Sequence, residues 1–426
     1  MGSGLSRVQK FFREIARAES LSEADSFRLQ PLWIVVGSQA GTRALPIMQA
    51  MIAIAVRSYN GVINIRVSAE STPILDRIRS VVEQEAKSYG CSDRLSIKYF
   101  DVNEQIPVGI GIGTNQEYLI SADASSLLAG INYVFESGWP PPHAAAACFA
   151  AAAAFAKYFA VVTLNRAAAA RERWVLSLEN LAPVHVNSVQ APSQVEPIQI
   201  GELHLLGAGA IGSAYAFVAR MAADTGTLHI ADKDAYDEPN YETTFFINKR
   251  MALGRPAKAK ALAEYTRRCG LNVQFEPQIE VVQGHEFLND PCRCFICAVD
   301  NTETRRILDA VDADILLNAG LGDNALNGGH VLVTWHKSTT GNLSALFPEH
   351  LDTNELRSFG LPSEITDECS QIDYEGVSFS APFLALAAGS LLYALSRQSA
   401  VKRLTGPNYF KIDLLGVQSA ISLRSS

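Results

Sequence analysis

A chain of 426 residues, 48% hydrophobic and 19% charged, holds enough apolar mass for at least two packed domains, so disorder over most of its length is not expected. A net charge of −8 and a pI near 5.6 argue against a nucleic-acid surface and favour small molecules and proteins as partners. Seven cysteines are too few and too oddly counted for a disulfide framework, and the amphipathic, charged N-terminal stretch lacks the apolar core of a secretory signal. A reducing, cytoplasmic compartment is the expectation.

The first half alternates strand and helix. PLWIVVG reads as a strand, TRALPIMQAMIAIAVRSY as a helix, GVINIRVS as a strand, PILDRIRSVVEQEAKSYG as a helix and LSIKYFD as a strand, followed by VGIGIG and EYLISA as short strands. Such alternation implies a parallel sheet covered by helices. A proline cluster then leads into the alanine-rich run Ala144–Val162. Alanine contributes little to membrane insertion and Lys157 interrupts the run, so it reads as a buried helix that falls short of a membrane span. Next comes NSVQAPSQVEPIQIGE, rich in Pro, Ser and Gln and poor in apolar residues. It marks a boundary, with residues 1–185 as one domain, 186–200 as a linker and 201–426 as the second domain.

The second half repeats the plan. ELHLLGAGAIGSAYAFVARMA reads as strand and helix, GTLHIAD as a strand, RPAKAKALAEYTRRCG as a helix, and NVQFEPQ, CRCFICAV and DILLNAG as strands. The last helix, SAPFLALAAGSLLYALSRQ, also follows a proline cue and is also rich in small residues. The chain therefore reads as α/β, with one Rossmann-like fold used twice; two unrelated α/β domains are the alternative. The first turns differ. WIVVGSQAGT keeps one glycine close to its strand and then places Ser38, Gln39 and Ala40 where a phosphate needs unobstructed N–H groups, so the first copy reads as degenerate.

In the second copy Gly207, Gly209 and Gly212 form G-x-G-x-x-G between a strand and a helix. Asp232 ends the next strand at a distance suited to a ribose hydroxyl, which serves NAD or ATP equally. Asp234, Asn240, Lys258 and the pair Asp300-Asn301 separate the two. Two acids at neighbouring strand ends, a lysine and a glycine-rich turn suit a triphosphate with its magnesium, for which a nicotinamide enzyme has no use.

On these residues, roughly from Ile200 to Gln398, the chain resembles the ubiquitin-activating superfamily that includes the ThiF and MoeB sulfur-carrier adenylases. The resemblance rests on G-x-G-x-x-G, the D-x-D-x(5)-N pattern of Asp232, Asp234 and Asn240, the Lys258 region and Asp300-Asn301. It implies two tandem adenylation folds, the second active, with ATP and Mg2+ as cofactors. It makes Asp232 the ribose ligand, Asn240 and Lys258 phosphate contacts, and Asp300 the magnesium ligand. Two departures stand out. Thr243 occupies the place of the family's usual arginine, and an apparent insertion leaves Lys258 and Lys260 as alternatives. The missing cation is expected from the other half, where Arg7, Arg13 and Arg17 offer themselves against a reading of solvated helix charges.

The same resemblance implies adenylation of the C-terminal carboxylate of a ubiquitin-like protein. Cys369, on a polar, acidic segment that we place in a crossover loop at about 348–376, sits where noncanonical two-half activators carry a thioester nucleophile that passes its cargo to a conjugating enzyme. Bacterial ubiquitin-like conjugation operons, antiviral ones such as the Bil system included, encode activators of this layout. No zinc is expected, since the family's two C-x-x-C pairs are missing and Cys294 and Cys297 alternate across a strand. No nucleic acid or membrane partner is expected. Because one chain holds both folds, an intrachain pseudo-dimer is expected, with a homodimer left open. A sulfur-carrier adenylase without a thioester step, a nicotinamide-dependent oxidoreductase and a silent scaffold are the competing readings.

Overall fold

The structure is a computed structural model and describes residues 30–59, 61–68, 72–100, 108–114, 116, 119–164, 172–267, 270–277, 288, 294–299, 302–309, 311, 313–320, 330–336, 381–404 and 409–414. Its first sheet holds β1 (Leu32–Val36), β2 (Ile63–Ser68), β3 (Leu95–Phe100), β4 (Gly109–Ile112), β5 (Leu119–Ser125), β6 (Leu128–Ile131), β7 (Trp174–Ser177) and β8 (Ala182–Val184). Their order is β3-β2-β1-β4-β5-β6-β7-β8, parallel from β3 to β5 and antiparallel beyond. The second sheet holds β9 (Gln199–Leu206), β10 (Thr225–Asp232), β11 (Leu271–Pro277), β12 (Cys294–Cys297), β13 (Ile315–Gly320), β14 (His330–His336) and β15 (Tyr409–Asp413). Its order, β11-β10-β9-β12-β13-β14-β15, repeats that of the first seven strands of the first sheet, without a counterpart of β8 among the described residues, and with the same change from parallel to antiparallel after the fifth strand. The expected α/β plan used twice is therefore present. In both sheets the strand order reverses beside the first strand, and that crevice is where open α/β sheets bind ligands.

Helices α1 (Ala44–Ser58), α2 (Thr72–Tyr89) and α3 (Ala144–Leu164) belong to the first half. The second half has α4 (Ala210–Met221), α5 (Lys249–Leu253), α6 (Lys258–Thr266), α7 (Thr302–Asp309) and α8 (Ala381–Ala400). Helix α3 is apolar on every side because every side is covered, and Ala145 to Ala154 have no exposure. By length and apolarity it is long enough to cross a membrane, contrary to the expectation that its run falls short, but 89% of that stretch is buried inside the protein. A helix apolar all round is also what a large core requires. Small residues let α3, α4 and α8 pack closely. At Gly389 of α8 a Cβ would stand 2.6 Å from the backbone nitrogen of Tyr215 on α4. One continuous apolar core runs through both halves, from Leu32 to Leu414. The second sheet has a further cluster on its other face, formed by Leu206, Ala231, Phe295, Cys297, Leu308 and Leu316.

Polar groups join the halves as well. The Asp224 carboxylate, just before β10, accepts from Tyr393 at 3.0 Å, from the Ile198 backbone at 2.9 Å and from Arg397, and His143 of the first half lies 3.5 Å away. Burial alone would raise its pKa, but the His143 and Arg397 hydrogen bonds pull it well below the usual carboxylate range. Burial pushes His143 down. Residues between β8 and β9 are pinned into this junction, with Glu196 accepting from Arg397 and Ser193 from Ser126. Sequence patterning missed β6, β7, β8, β15, α5 and α7. All are short, and elements of this length show too little of a period to be read.

Candidate nucleotide site

The turn between β9 and α4 is built by its glycines. Gly207 has φ +95° and lies against the Ala298 carbonyl, 2.7 Å from where a Cβ would stand, so no side chain fits. At Gly212 a Cβ would collide with the Gly207 carbonyl, and the close approach of helix and strand depends on its absence. Gly209 caps α4, and nothing lies within 4 Å of its Cβ position. An open turn at the positive end of a 12-residue helix can receive an anion.

Asp232, at the end of β10, braces that turn. Its carboxylate accepts from the Ala208 N–H at 2.6 Å and the Asp234 N–H at 2.8 Å. Burial raises its pKa, and the Lys258 charge and the two N–H groups only partly offset that. Lys258 opens α6, donates from Nζ to Asp234 at 3.0 Å, and places its backbone N–H on the Asp234 carbonyl at 2.9 Å. Lys260 points out to solvent. Asn240 sits in the 3-10 turn Glu238–Glu242, where its side-chain oxygen accepts from the Asp237 N–H at 2.7 Å in a capping box. Gly207, Gly209, Gly212, Asp232, Asp234 and Lys258 thus come together, while Asn240 is held in the adjoining turn. Asp300, Asn301, Cys369, Arg7, Arg13, Arg17 and the 348–376 segment lie outside the described residues. So do Cys269 and Cys292.

Three features escaped the sequence reading. Tyr236 is fully buried, gives its hydroxyl to the Ala208 carbonyl and lies beneath Lys258, with Nζ 6.0 Å from the ring centre. Arg57 of α1 crosses from the first half, donates to the Thr244 carbonyl at 2.7 Å and stacks over Tyr89 and Phe245. It therefore reaches the segment of Thr243, where the resemblance leads one to expect an arginine, and its only sequence signal was a charge in an otherwise apolar helix. Asn318 of β13 and Thr334 of β14 are fully buried opposite one another.

The corresponding turn of the first half is closed. Gly37, like Gly207, has no room for a Cβ, which would meet the Gly113 carbonyl, so what distinguishes this turn is the side chain that fills it. Arg43, almost wholly buried, spans the strand ends to Asp123 at 3.0 Å and to the Phe135, Glu136 and Gln39 carbonyls. A guanidinium thus fills space in this half that a ligand would need. Cys294 and Cys297 point to opposite faces of β12, one into each apolar cluster. Among the described residues no three His, Cys, Asp or Glu side chains are grouped to hold a metal.

Residues 201–405, just under half the chain, match the family described as the BilD C-terminal domain. Among solved structures the chain is similar to MccB of E. coli with AMPCPP and selenomethionine MccA, at 12% identity and a TM-score of 0.35 over 50% of this chain and 60% of that one. It is similar to E. coli MccB with ATP at 13% identity and a TM-score of 0.33, over 50% and 60%. For selenomethionine PaaA the values are 15% and 0.35, over 51% and 62%. The chain thus spans about 60% of the length of these solved proteins. No curated protein matches it.

Proposed function

We propose that this chain, whose second half matches the BilD C-terminal domain and so bears out the resemblance to the ubiquitin-activating superfamily, activates a ubiquitin-like protein by ATP-dependent adenylation. The observation that carries this reading is the contrast between the halves. One glycine turn is open, braced by Asp232 and flanked by the Lys258–Asp234 pair, and its twin is closed by Arg43. A nucleotide needs the first arrangement, and a structural partner domain tolerates the second.

In the reaction a carboxylate oxygen of the partner's C-terminus attacks the α-phosphorus of ATP, the bond to the bridging oxygen breaks, and pyrophosphate leaves with the electron pair. The task of the site is electrostatic. The α4 N-terminus and Lys258 face the phosphates, Asp232 takes the ribose hydroxyls, and Asn240 holds the adjoining turn. The carboxylate donors fit a hard divalent cation, which would neutralise phosphate charge and for which Asp300 is the proposed ligand. Cys369 then attacks the acyl carbon as a thiolate, expelling AMP, and the thioester passes to a conjugating enzyme.

The test is a non-reducing gel of the protein and of Cys369→Ala after incubation with magnesium, ATP and the ubiquitin-like protein encoded nearest to it. An ATP-dependent, thiol-sensitive adduct that is absent from the mutant is the expected outcome. Pyrophosphate release without any adduct would instead favour a sulfur-carrier adenylase.

A further inference from the structure

The feature that the proposed chemistry leaves unused is the buried pair on β13 and β14. Leu206, Cys297, Asn318 and Thr334 are register partners on four adjacent strands, β9, β12, β13 and β14. Leu206 immediately precedes Gly207, and neighbouring strands lie about 4.8 Å apart, so Asn318 stands roughly 10 Å from the nucleotide turn along the carboxyl edge of the sheet. Asn318 and Thr334 have no exposure, yet neither the amide nitrogen and oxygen of Asn318 nor the Thr334 hydroxyl has a hydrogen-bond partner. Buried side-chain polar groups are nearly always satisfied, and an orphan needs an explanation.

The first half supplies the contrast. Asp123 stands on β5, the counterpart of β13 in the strand order, one register step beyond the place of Asn318, and like Asn318 it is flanked by residues that face the shared core. Its carboxylate is fully answered, by Arg43 at 3.0 and 3.3 Å and by the Ala124 and Phe135 N–H groups at 2.8 and 3.0 Å. The half without an open turn closes this position with its own arginine. The half with the open turn leaves a donor, an acceptor and a hydroxyl unspent beside it.

We infer that Asn318 and Thr334 bind the main chain of the acyl arm, the last peptide units of the protein tail whose carboxylate is adenylated. The inference rests on the adenylation reading. An uncharged amide offers one donor direction and one acceptor direction, which is what a peptide unit presents in reverse. A carboxylate or phosphate would leave the Asn318 oxygen unused and would call for a cation.

The test compares 5′-O-sulfamoyladenosine, which carries no acyl arm, with its N-(acetylglycylglycyl) form by calorimetry on the full chain. The wild type should bind the acylated compound at least tenfold more tightly. Asn318→Leu and the near-isosteric Thr334→Val should each lose most of that gain, bind sulfamoyladenosine unchanged, and melt at or above the wild-type temperature, because replacing an orphaned polar group with an apolar one costs little. Equal binding of both compounds by the wild type would overturn the inference. So would variants that lose both affinities together with thermal stability, since the pair would then be structural. No binding of sulfamoyladenosine at all would overturn the adenylation reading first, and the inference with it.

Discussion

Lys258 and Lys260 are two residues apart on one short helix, and only the fold separates them. The first is tied to Asp234 beside the glycine turn, and the second faces solvent. Lys258→Ala should lower ATP–pyrophosphate exchange by about 100-fold, in line with the loss of one preorganised charge contact, whereas Lys260→Ala should change it less than about twofold. The two initial rates, measured side by side at saturating partner, check this. Gly207, Gly209, Gly212 and Asp232 were legible in the sequence because a turn and the strand that follows it are local, and their spacing carries the geometry. Arg57 and Asn318 were not legible. Their significance depends on Thr244 and Thr334, which the fold brings in from elsewhere in the chain.

At the scale of elements, the small-residue helices explain how two sheets share one core. Gly389 lets α8 approach the α4 backbone at Tyr215 and Ala214. Replacing a helical glycine gains at most about 1 kcal/mol of propensity, whereas forcing a branched side chain against a neighbouring backbone costs about 1–3 kcal/mol or more. Gly389→Leu should therefore destabilise the protein by about 2 kcal/mol, seen as a lower urea midpoint at unchanged slope. The alternation of strand and helix was readable for every long element. The short strands β6 to β8 were not, since their pairing partners rather than their own composition hold them in the sheet.

Over the whole molecule, the Asp224 junction couples the halves: a second-half carboxylate meets His143 of the first half, Arg397 and Tyr393 of α8, and the Ile198 backbone. Removing one member of such a buried pair leaves the other charge uncompensated, so Asp224→Asn should cost about 3–5 kcal/mol at neutral pH. The sign with pH follows from the depressed pKa. The ionised Asp224 contributes fully above the unfolded carboxylate value of about 4, and that contribution is lost as pH falls below it. The difference in melting temperature between wild type and Asp224→Asn should therefore be largest near neutrality and shrink in acid. Thermal scans from neutral pH down to pH 3 would check it.

The sequence by itself determined the fold class, its duplication and the glycine turn between β9 and α4, because periodicity and short motifs are written along the chain within the reach of one element or one turn. Only the tertiary structure decided what fills the buried polar positions in each half. The plug that Arg43 makes against Asp123, the reach of Arg57 to Thr244 and the orphaned Asn318–Thr334 pair each join residues far apart in the chain. The physical reason is burial. A guanidinium or an amide becomes costly or useful only once water is removed, and which groups lose their water is settled by packing rather than by spacing.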